Sequence, residues 1–186
     1  MDKKLCDMSL QKLWRLFPVT LCPPSPAYIK QYEDEKNFIG SFLPEYCRIY
    51  HIGSTAVGNI LSKPIVDILT EIPHECEMTP VKDLLLNNGY ICMSESADRM
   101  SFNKGYTLEG YAPEVFHLHL RFYGDNDELY FKKYLIEYPE TAKEYEAVKL
   151  ALCAKYKYDR DKYTQGKTDF INKYTELAKK QYLLTC

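Results

Sequence analysis

Apolar residues recur along this chain with two periods, and the switch between them predicts its elements. Leu10, Leu13, Trp14 and Phe17 fall on one helical face behind Ser9, a residue type that caps helices, so a short helix is expected over 9–17, ended by Pro18. The four prolines within 18–26 predict an extended connector. Ser25-Pro26 then opens an amphipathic helix over 26–43, with Tyr28, Ile29, Tyr32, Ile39, Phe42 and Leu43 as its apolar stripe. Short apolar runs predict strands over 48–52, 65–72, 90–93, 100–106 and 115–123. A helix over 79–88 ends at Gly89. Gly110 and Pro113 mark 107–114 as a loop. The last third returns to the helical period. One helix is capped by Asp125 to Asp127, a second runs from Pro139 to about 156, and a third starts at Asp159 or Asp161 and carries Tyr163, Lys167, Phe170 and Ile171. The whole reads as one α+β domain over 1–186: a central mixed sheet, an N-terminal helical part and C-terminal helices.

The chemistry concentrates between His51 and Ile72. The first strand runs into Gly53-Ser54-Thr55, which open a short helix to about 61, and Asp67 stands inside the next apolar run. Such a turn can offer backbone N–H groups and a hydroxyl to a phosphate, with Lys63 adding charge. A helix cap is the plainer reading of the Gly-Ser pair. Asp67, Leu69 and Glu71 share one strand face. Asp67 is costly to bury among Ile65, Val66, Ile68 and Leu69 unless it is paired or binds a metal; Lys63 and the later histidines are its expected partners. Glu71 either adds a second ligand or simply ends the strand in solvent. On the strand over 115–123, His117, His119 and Arg121 alternate with Leu118, Leu120 and Phe122. That row is read as facing Asp67 across a cleft, where it could bind metal or phosphate; the exposed face of a one-sided sheet is the alternative. Lys104, on the strand before, and Lys167, on the inward stripe of the last helix, are further candidates for phosphate, snorkelling to solvent being the alternative for Lys167.

These residues resemble the GrpB family. The resemblance rests on His51 to Thr55, Val57, Lys63-Pro64, Ile65-Val66 and Asp67-Ile68. It continues through Phe102 to Thr107 and Val115 to Arg121, then runs from Asp125 through Pro139, Tyr145, Lys149, Tyr163 and Lys167 to Phe170, covering about 9–178. It implies a nucleotidyltransferase-like fold, in which Gly53 and Ser54 would touch a nucleotide's phosphates and the strand acids would hold Mg²⁺ or Mn²⁺. On that pattern Asp67, Glu71 and His119 are the candidate metal ligands, and Asp67 and Glu71 the catalytic acids. Two departures stand out. Leu69 occupies the place of the superfamily's second acid, and Asn59 stands where the family has glycine, Gly58 where it has proline. Asn59 is expected to take the left-handed turn conformation.

Composition narrows the function. Of 186 residues, 46% are hydrophobic and 27% charged, as in a water-soluble fold. A net charge of −2 argues against broad nucleic-acid binding, which needs many cationic phosphate contacts. No apolar run approaches membrane-spanning length, no leader is visible, and the seven cysteines are unpatterned, so a cytoplasmic protein without zinc or disulfides is expected. Three readings follow. The first is metal-dependent transfer of a nucleotidyl group to an unknown acceptor. The second is a catalytically inactive module that binds a nucleotide, coenzyme A or another phosphorylated small molecule. This one is suggested by family members fused to dephospho-coenzyme A kinase. The third is a hydrolase using Asp67, His117 and His119 around one ion.

Overall fold

The structure, a computed structural model, describes Leu5 and residues 8–183; Cys6 and Cys186 lie outside the described residues. Among the described residues, five strands form one mixed sheet in the order β1-β2-β5-β4-β3. They are β1 (Arg48–Ile52), β2 (Val66–Ile72), β3 (Ile91–Glu95), β4 (Arg99–Thr107) and β5 (Gly110–Phe122). Only β2 and β5 run parallel, with Asp67 opposite His117 and Leu69 opposite His119. The other pairs are antiparallel.

One face of the sheet is sealed by α2 (Ala27–Gly40) and α4 (Met78–Asn87). Ile68, Ile72, Phe102, Phe116, Leu118 and Leu120 meet Tyr32, Ile39, Val81 and Leu85 there in the main core. The α2 stripe differs from expectation in one detail. Ile29 is 55% exposed, whereas Glu35 is buried. Glu35 is admitted because Lys104 reaches it at 2.8 and 3.0 Å and the Tyr90 hydroxyl donates to it at 2.7 Å.

The opposite face carries the remaining helices: α3 (Gly53–Val57), α5 (Asp127–Glu137), α6 (Pro139–Tyr156), α7 (Arg160–Gln165) and α8 (Thr168–Leu183). Ile60, Phe131, Leu135, Ala142 and Tyr145 make a second, smaller core among them. The N-terminal α1 (Leu10–Leu16) is capped by Ser9, as its sequence predicts, and the connector after it pairs Cys22 with Ser62. Phe17 packs its ring 4.7 Å from Tyr106, and Val19 donates its N–H to the Lys157 carbonyl.

Three boundaries depart from the sequence pattern. β5 begins at Gly110, so 107–114 is a tight hairpin and not a loop. Pro113 is tolerated because the ladder slips between Lys104 and Tyr106, leaving that part of β5 free of obligatory pairing. The last expected helix is two, broken at Gly166, where any side chain would collide with Leu152 of α6. α3 ends at Val57, short of the expected 61, where Gly58 turns left-handed at φ 81° and relieves Asn59 of that role. The cap position of α5 falls at Asn126, inside the expected 125–127, and its side chain donates to Glu71.

Candidate active site

Between α3, the bare face of β2 and β5, and helices α5 to α8 lies a cavity of about 490 Å³. Its floor is built by strand register. Asp67 and His117 are paired neighbours on parallel strands, so their side chains emerge side by side, with His119 one step further along. The histidine row therefore stands beside Asp67 and not across a cleft from it. His117 Nδ1 lies 3.3 Å from Asp67 Oδ1. Its Nε2 lies 2.7 Å from the Tyr106 hydroxyl, to which Arg160 donates at 3.0 Å. One assignment of protons satisfies the whole chain. Arg160 donates to Tyr106, Tyr106 donates to Nε2, and Nδ1–H donates to Asp67.

Gly53 brings the backbone against the same carboxylate. Its φ is 73°, and a Cβ there would overlap Asp67 Oδ2. Glycine is thus required twice, by conformation and by the acid. Ser54 and Thr55 follow in α3. Thr55 faces inward, donating to the Ile65 carbonyl at 3.4 Å and meeting His51 Nε2 at 3.0 Å, while the His51 ring stacks on Tyr32. Thr55 thereby fixes the turn. Ser54 receives a hydrogen bond at 3.1 Å from Lys149, whose ammonium also reaches the Leu61 carbonyl.

The lining carries acids on and before α5, Asp125, Asp127 and Glu128, and cations around Ser54. Lys63, Lys149, Arg160 and Lys167 all line the cavity. No carboxylate of the described residues lies within ion-pair distance of any of them. Their ionisation reflects this. Burial, with the Lys167 charge beside it and only partial relief from Asp67, pushes Lys63 down to about 7. Burial and Lys167 do the same to Lys149. Burial raises the Asp67 carboxyl, but the hydrogen bond and charge of His117, then Lys63 and His119, outweigh it and hold the acid well below the usual carboxylate range. Burial lowers His117 against the pull of Asp67, and lowers His119 to about 4. The floor therefore presents one carboxylate and two neutral imidazoles at pH 7.

Gly53, Ser54, Thr55, Lys63, Asp67, His117, His119 and Lys167 are thus brought together. Three expected site residues are not. Lys104 shares its strand face with Phe102 and points under α2 to Glu35. Arg121 spends its guanidinium on the carbonyls of Met100 and Leu120, both at 3.0 Å. Glu71 is buried beyond the cavity, where its Oε1 accepts from Gly124 N–H at 2.9 Å and Asn126 at 3.1 Å, tying down the turn into α5. Leu69, in the place of a second acid, is wholly buried. Among the described residues no three histidines, cysteines or carboxylates stand where they could share an ion. This donor set does not fit a protein-built Mg²⁺ or Mn²⁺ centre, which needs several oxygen ligands. Nor do Asp67, His117 and His119 fit a hydrolytic ion site, since Asp67 Oδ1 is engaged by His117 and His119 Nδ1 faces the Arg121 guanidinium at 3.4 Å.

Sequence reasoning missed Lys149, Arg160 and Tyr106. Lys149 was readable: with Ala142 and Tyr145 it falls on one face of α6, and a lysine on the buried stripe of a helix asks for an anion.

Residues 18–177 match the family model described as GrpB protein. The chain belongs to the GrpB family. It is 33% identical over 144 residues to the UPF0157 protein YqkA of Bacillus subtilis, covering 75% of this chain and 40% of that protein. It is 29% identical to the glutamate-rich protein GrpB of Alkalihalophilus pseudofirmus, covering 83% of this chain and 92% of that one. The UPF0157 protein PA4798 of Pseudomonas aeruginosa is 31% identical, over 82% of this chain and 64% of its own length. This chain therefore spans less than two thirds of the Bacillus and Pseudomonas relatives. Among solved structures, conserved protein GrpB from Enterococcus faecalis superposes with a TM-score of 0.75 at 30% identity, over 88% of this chain and 99% of that chain. The Cid1 poly(U) polymerase with Mg 3'-dATP bound superposes at 0.50 and 9% identity, over 76% of this chain and 43% of that one. The fold of this GrpB protein is accordingly nucleotidyltransferase-like. No helix among the described residues is long and apolar enough to cross a membrane.

Proposed function

We propose that this chain binds the polyphosphate of a nucleotide in the cavity between Ser54, Lys63, Lys149, Arg160 and Lys167. One observation carries the reading: Lys63, Lys149, Arg160 and Lys167 line a single cavity, and among the described residues none of them has a carboxylate within ion-pair distance. A desolvated cluster of like charges is unfavourable by itself and is relieved by an anion of several charges. A triphosphate supplies these, and its oxygens can accept from the ammonium groups and from Ser54. The Gly53-Ser54 turn on a nucleotidyltransferase-like fold favours a nucleotide over other polyanions.

The site resembles a binding pocket more than a transferase centre. Metal-dependent nucleotidyl transfer, the second reading, is favoured by Asp67 alone, a fully ionised carboxylate at the cavity floor. The second oxygen ligand would have to come from the ligand's own phosphates, since neither Leu69 nor Glu71 supplies it. The cytoplasm, where nucleotides and reduced thiols coexist, is the compartment we assign to it.

A thermal-shift panel tests both readings: the four nucleoside triphosphates, coenzyme A and dephospho-coenzyme A, each with and without Mg²⁺ or Mn²⁺. A ligand at 100 times its Kd adds about 2.7 kcal/mol, which moves the midpoint by roughly 5–10 °C. A nucleotide shift without metal is the expected result. A shift that requires metal and disappears in Asp67→Asn would transfer the argument to the catalytic reading. No shift with any of them would sink both.

A further inference from the structure

The cavity continues past the cations along α8. Lys167, Ile171 and Thr175 are four residues apart, and Ile171 N–H bonds back to the Lys167 carbonyl at 3.1 Å, so all three fall on one helical face. Opposite, Phe131 and Leu135 are four apart on α5, and both line the cavity with Ile171 and Thr175. The chemistry changes along this wall. At the Lys167 end it is cationic. Towards Thr175 it is lined by the apolar side chains of Phe131, Leu135 and Ile171, with Asn172, Asp127, Glu128 and Lys132 also on the lining, and the Thr175 hydroxyl is buried at 4% exposure with no hydrogen-bond partner among the described residues. A second hydroxyl in the same condition, Ser62 at 2%, stands beside Lys63 in the cavity wall.

Buried hydroxyls are almost always paired, and an unpaired one is destabilising. Of the three such hydroxyls among the described residues, Thr70 shares the core face of Ile68 and Ile72, while Ser62 and Thr175 belong to residues that line this cavity, where a ligand can supply the partner. Ser62 sits among the lysines and suits a phosphate oxygen. Thr175 sits on an apolar wall, and that combination suits a flat heterocycle: apolar surface for its face and one hydroxyl, both donor and acceptor, for its edge. The axial distance fits as well. Eight residues from Lys167 to Thr175 rise about 12 Å along the helix, the reach of an extended nucleoside triphosphate from its terminal phosphate to its base.

We infer that the α5–α8 wall around Thr175 is a nucleobase subsite, so that the ligand is recognised as a nucleotide and not as a bare polyphosphate. This rests on the polyphosphate reading above and adds the heterocycle to it. The phosphates lie on Ser54, Ser62 and the lysines, and the base lies against Phe131, Leu135 and Ile171 with its edge at Thr175 Oγ1.

Calorimetric titration of the full chain with ATP, GTP, CTP, UTP and inorganic tripolyphosphate separates the two layers. At least one nucleoside triphosphate is expected to bind about tenfold more tightly than tripolyphosphate. Thr175→Val removes the hydroxyl at constant shape, so it should weaken that nucleotide by roughly 3- to 10-fold, the size of one neutral hydrogen bond, and leave tripolyphosphate unchanged. Thr175→Ser should restore the wild-type preference. Without ligand, T175V should melt at or above the wild-type temperature, because a valine methyl replaces an unpaired hydroxyl. If tripolyphosphate binds as tightly as every nucleotide, or T175V leaves all nucleotides unaffected, the subsite is refuted while the polyphosphate site stands. If T175V melts several degrees lower, the hydroxyl has a structural partner and the inference fails. If nothing binds, both readings fall together.

Discussion

The two faces of the sheet treat buried charge in opposite ways. Under α2, Lys104 comes with its own counter-ion: Glu35 takes two hydrogen bonds from it, the Tyr90 hydroxyl completes the carboxylate, and the Phe38 ring lies 4.2 Å from the ammonium. On the cavity face, none of Lys63, Lys149, Arg160 and Lys167 has a carboxylate within ion-pair distance among the described residues; Asp67, which relieves Lys63, is already bound to His117, and Glu146 only partly relieves Lys149. The first arrangement is closed and needs nothing from outside. The second is left open. Lysine burial alone does not distinguish the two; the nearby carboxylates do. A buried lysine whose partner is in the chain is part of the fold, and one without a partner belongs to a site.

The largest effect should come from breaking the closed face. Glu35→Ala leaves Lys104 partly buried without its partner, and truncating one side of such a pair costs about 3 kcal/mol, or roughly 6–12 °C in midpoint for a chain of this length. Replacing both, Glu35→Met with Lys104→Met, should recover most of that loss, because an apolar pair avoids the desolvation that the ion pair must offset. Neither variant should change nucleotide affinity measured below its melting temperature. A loss of affinity in the double variant would break the contrast by making Lys104 part of the site.

The open face predicts the reverse behaviour. Lys149 is 2% exposed and held near 7 by burial and by Lys167. Lys149→Met should leave the midpoint of the free protein within a few degrees and weaken a triphosphate by roughly 10- to 100-fold, the worth of one charge-assisted hydrogen bond. The pH dependence has a fixed sign. An unfolded lysine titrates near 10.5 and the folded Lys149 near 7, so between these values the unfolded chain holds more protons. This group's contribution to stability is therefore fully present above pH 10.5 and is lost as pH falls through 7. Ligand affinity runs the other way, falling as pH rises from 6 to 8 and the ammonium discharges. K149M should remove the Lys149 share of both slopes, in melting curves taken from pH 7 to 10.5 and in titrations taken from pH 6 to 8, while Lys63, also near 7, keeps its own share. An unaltered slope would mean that Lys149 is charged throughout.

Much of this was legible in the residues. The strand, Gly-Ser turn and buried acid between His51 and Ile72 are local patterns, and so is the alternation that puts His117 and His119 on one row. The errors came from register, which a single strand does not reveal. Lys104 shares its strand face with Phe102, so once Phe102 enters the main core Lys104 must follow it, but which face holds the core is fixed only by pairing with β5. Glu71 shares parity with Asp67, yet it reaches the sheet end where Gly124 and Asn126 need an acceptor. Pro113 and Gly110 argued for a loop because the bulge that accommodates them depends on the partner strand. Arg160 and Tyr106 are 54 residues apart and joined only in three dimensions.

The smallest effect should come from that last pair, and it sharpens the contrast because here the open face does contain a closed element. Tyr106 takes a hydrogen bond from Arg160 and gives its own to His117 Nε2, leaving Nδ1–H for Asp67. Phe17 and Tyr111 pack on the Tyr106 ring, so Tyr106→Phe keeps the shape and removes only the hydroxyl. His117 Nε2 and Arg160 then lose their common partner. Nitrogen-15 spectra of wild type should show His117 with the proton on Nδ1, and Y106F should move it towards a mixture of the two tautomers, which a purely packing role for Tyr106 would not do. Arg160 is freed to swing within the cavity, so triphosphate affinity should change by only about 3- to 5-fold, within the range of a single neutral hydrogen bond. Unchanged imidazole signals in Y106F would show that Asp67 alone sets the tautomer, and the ordering of the cavity floor would then stop at His117.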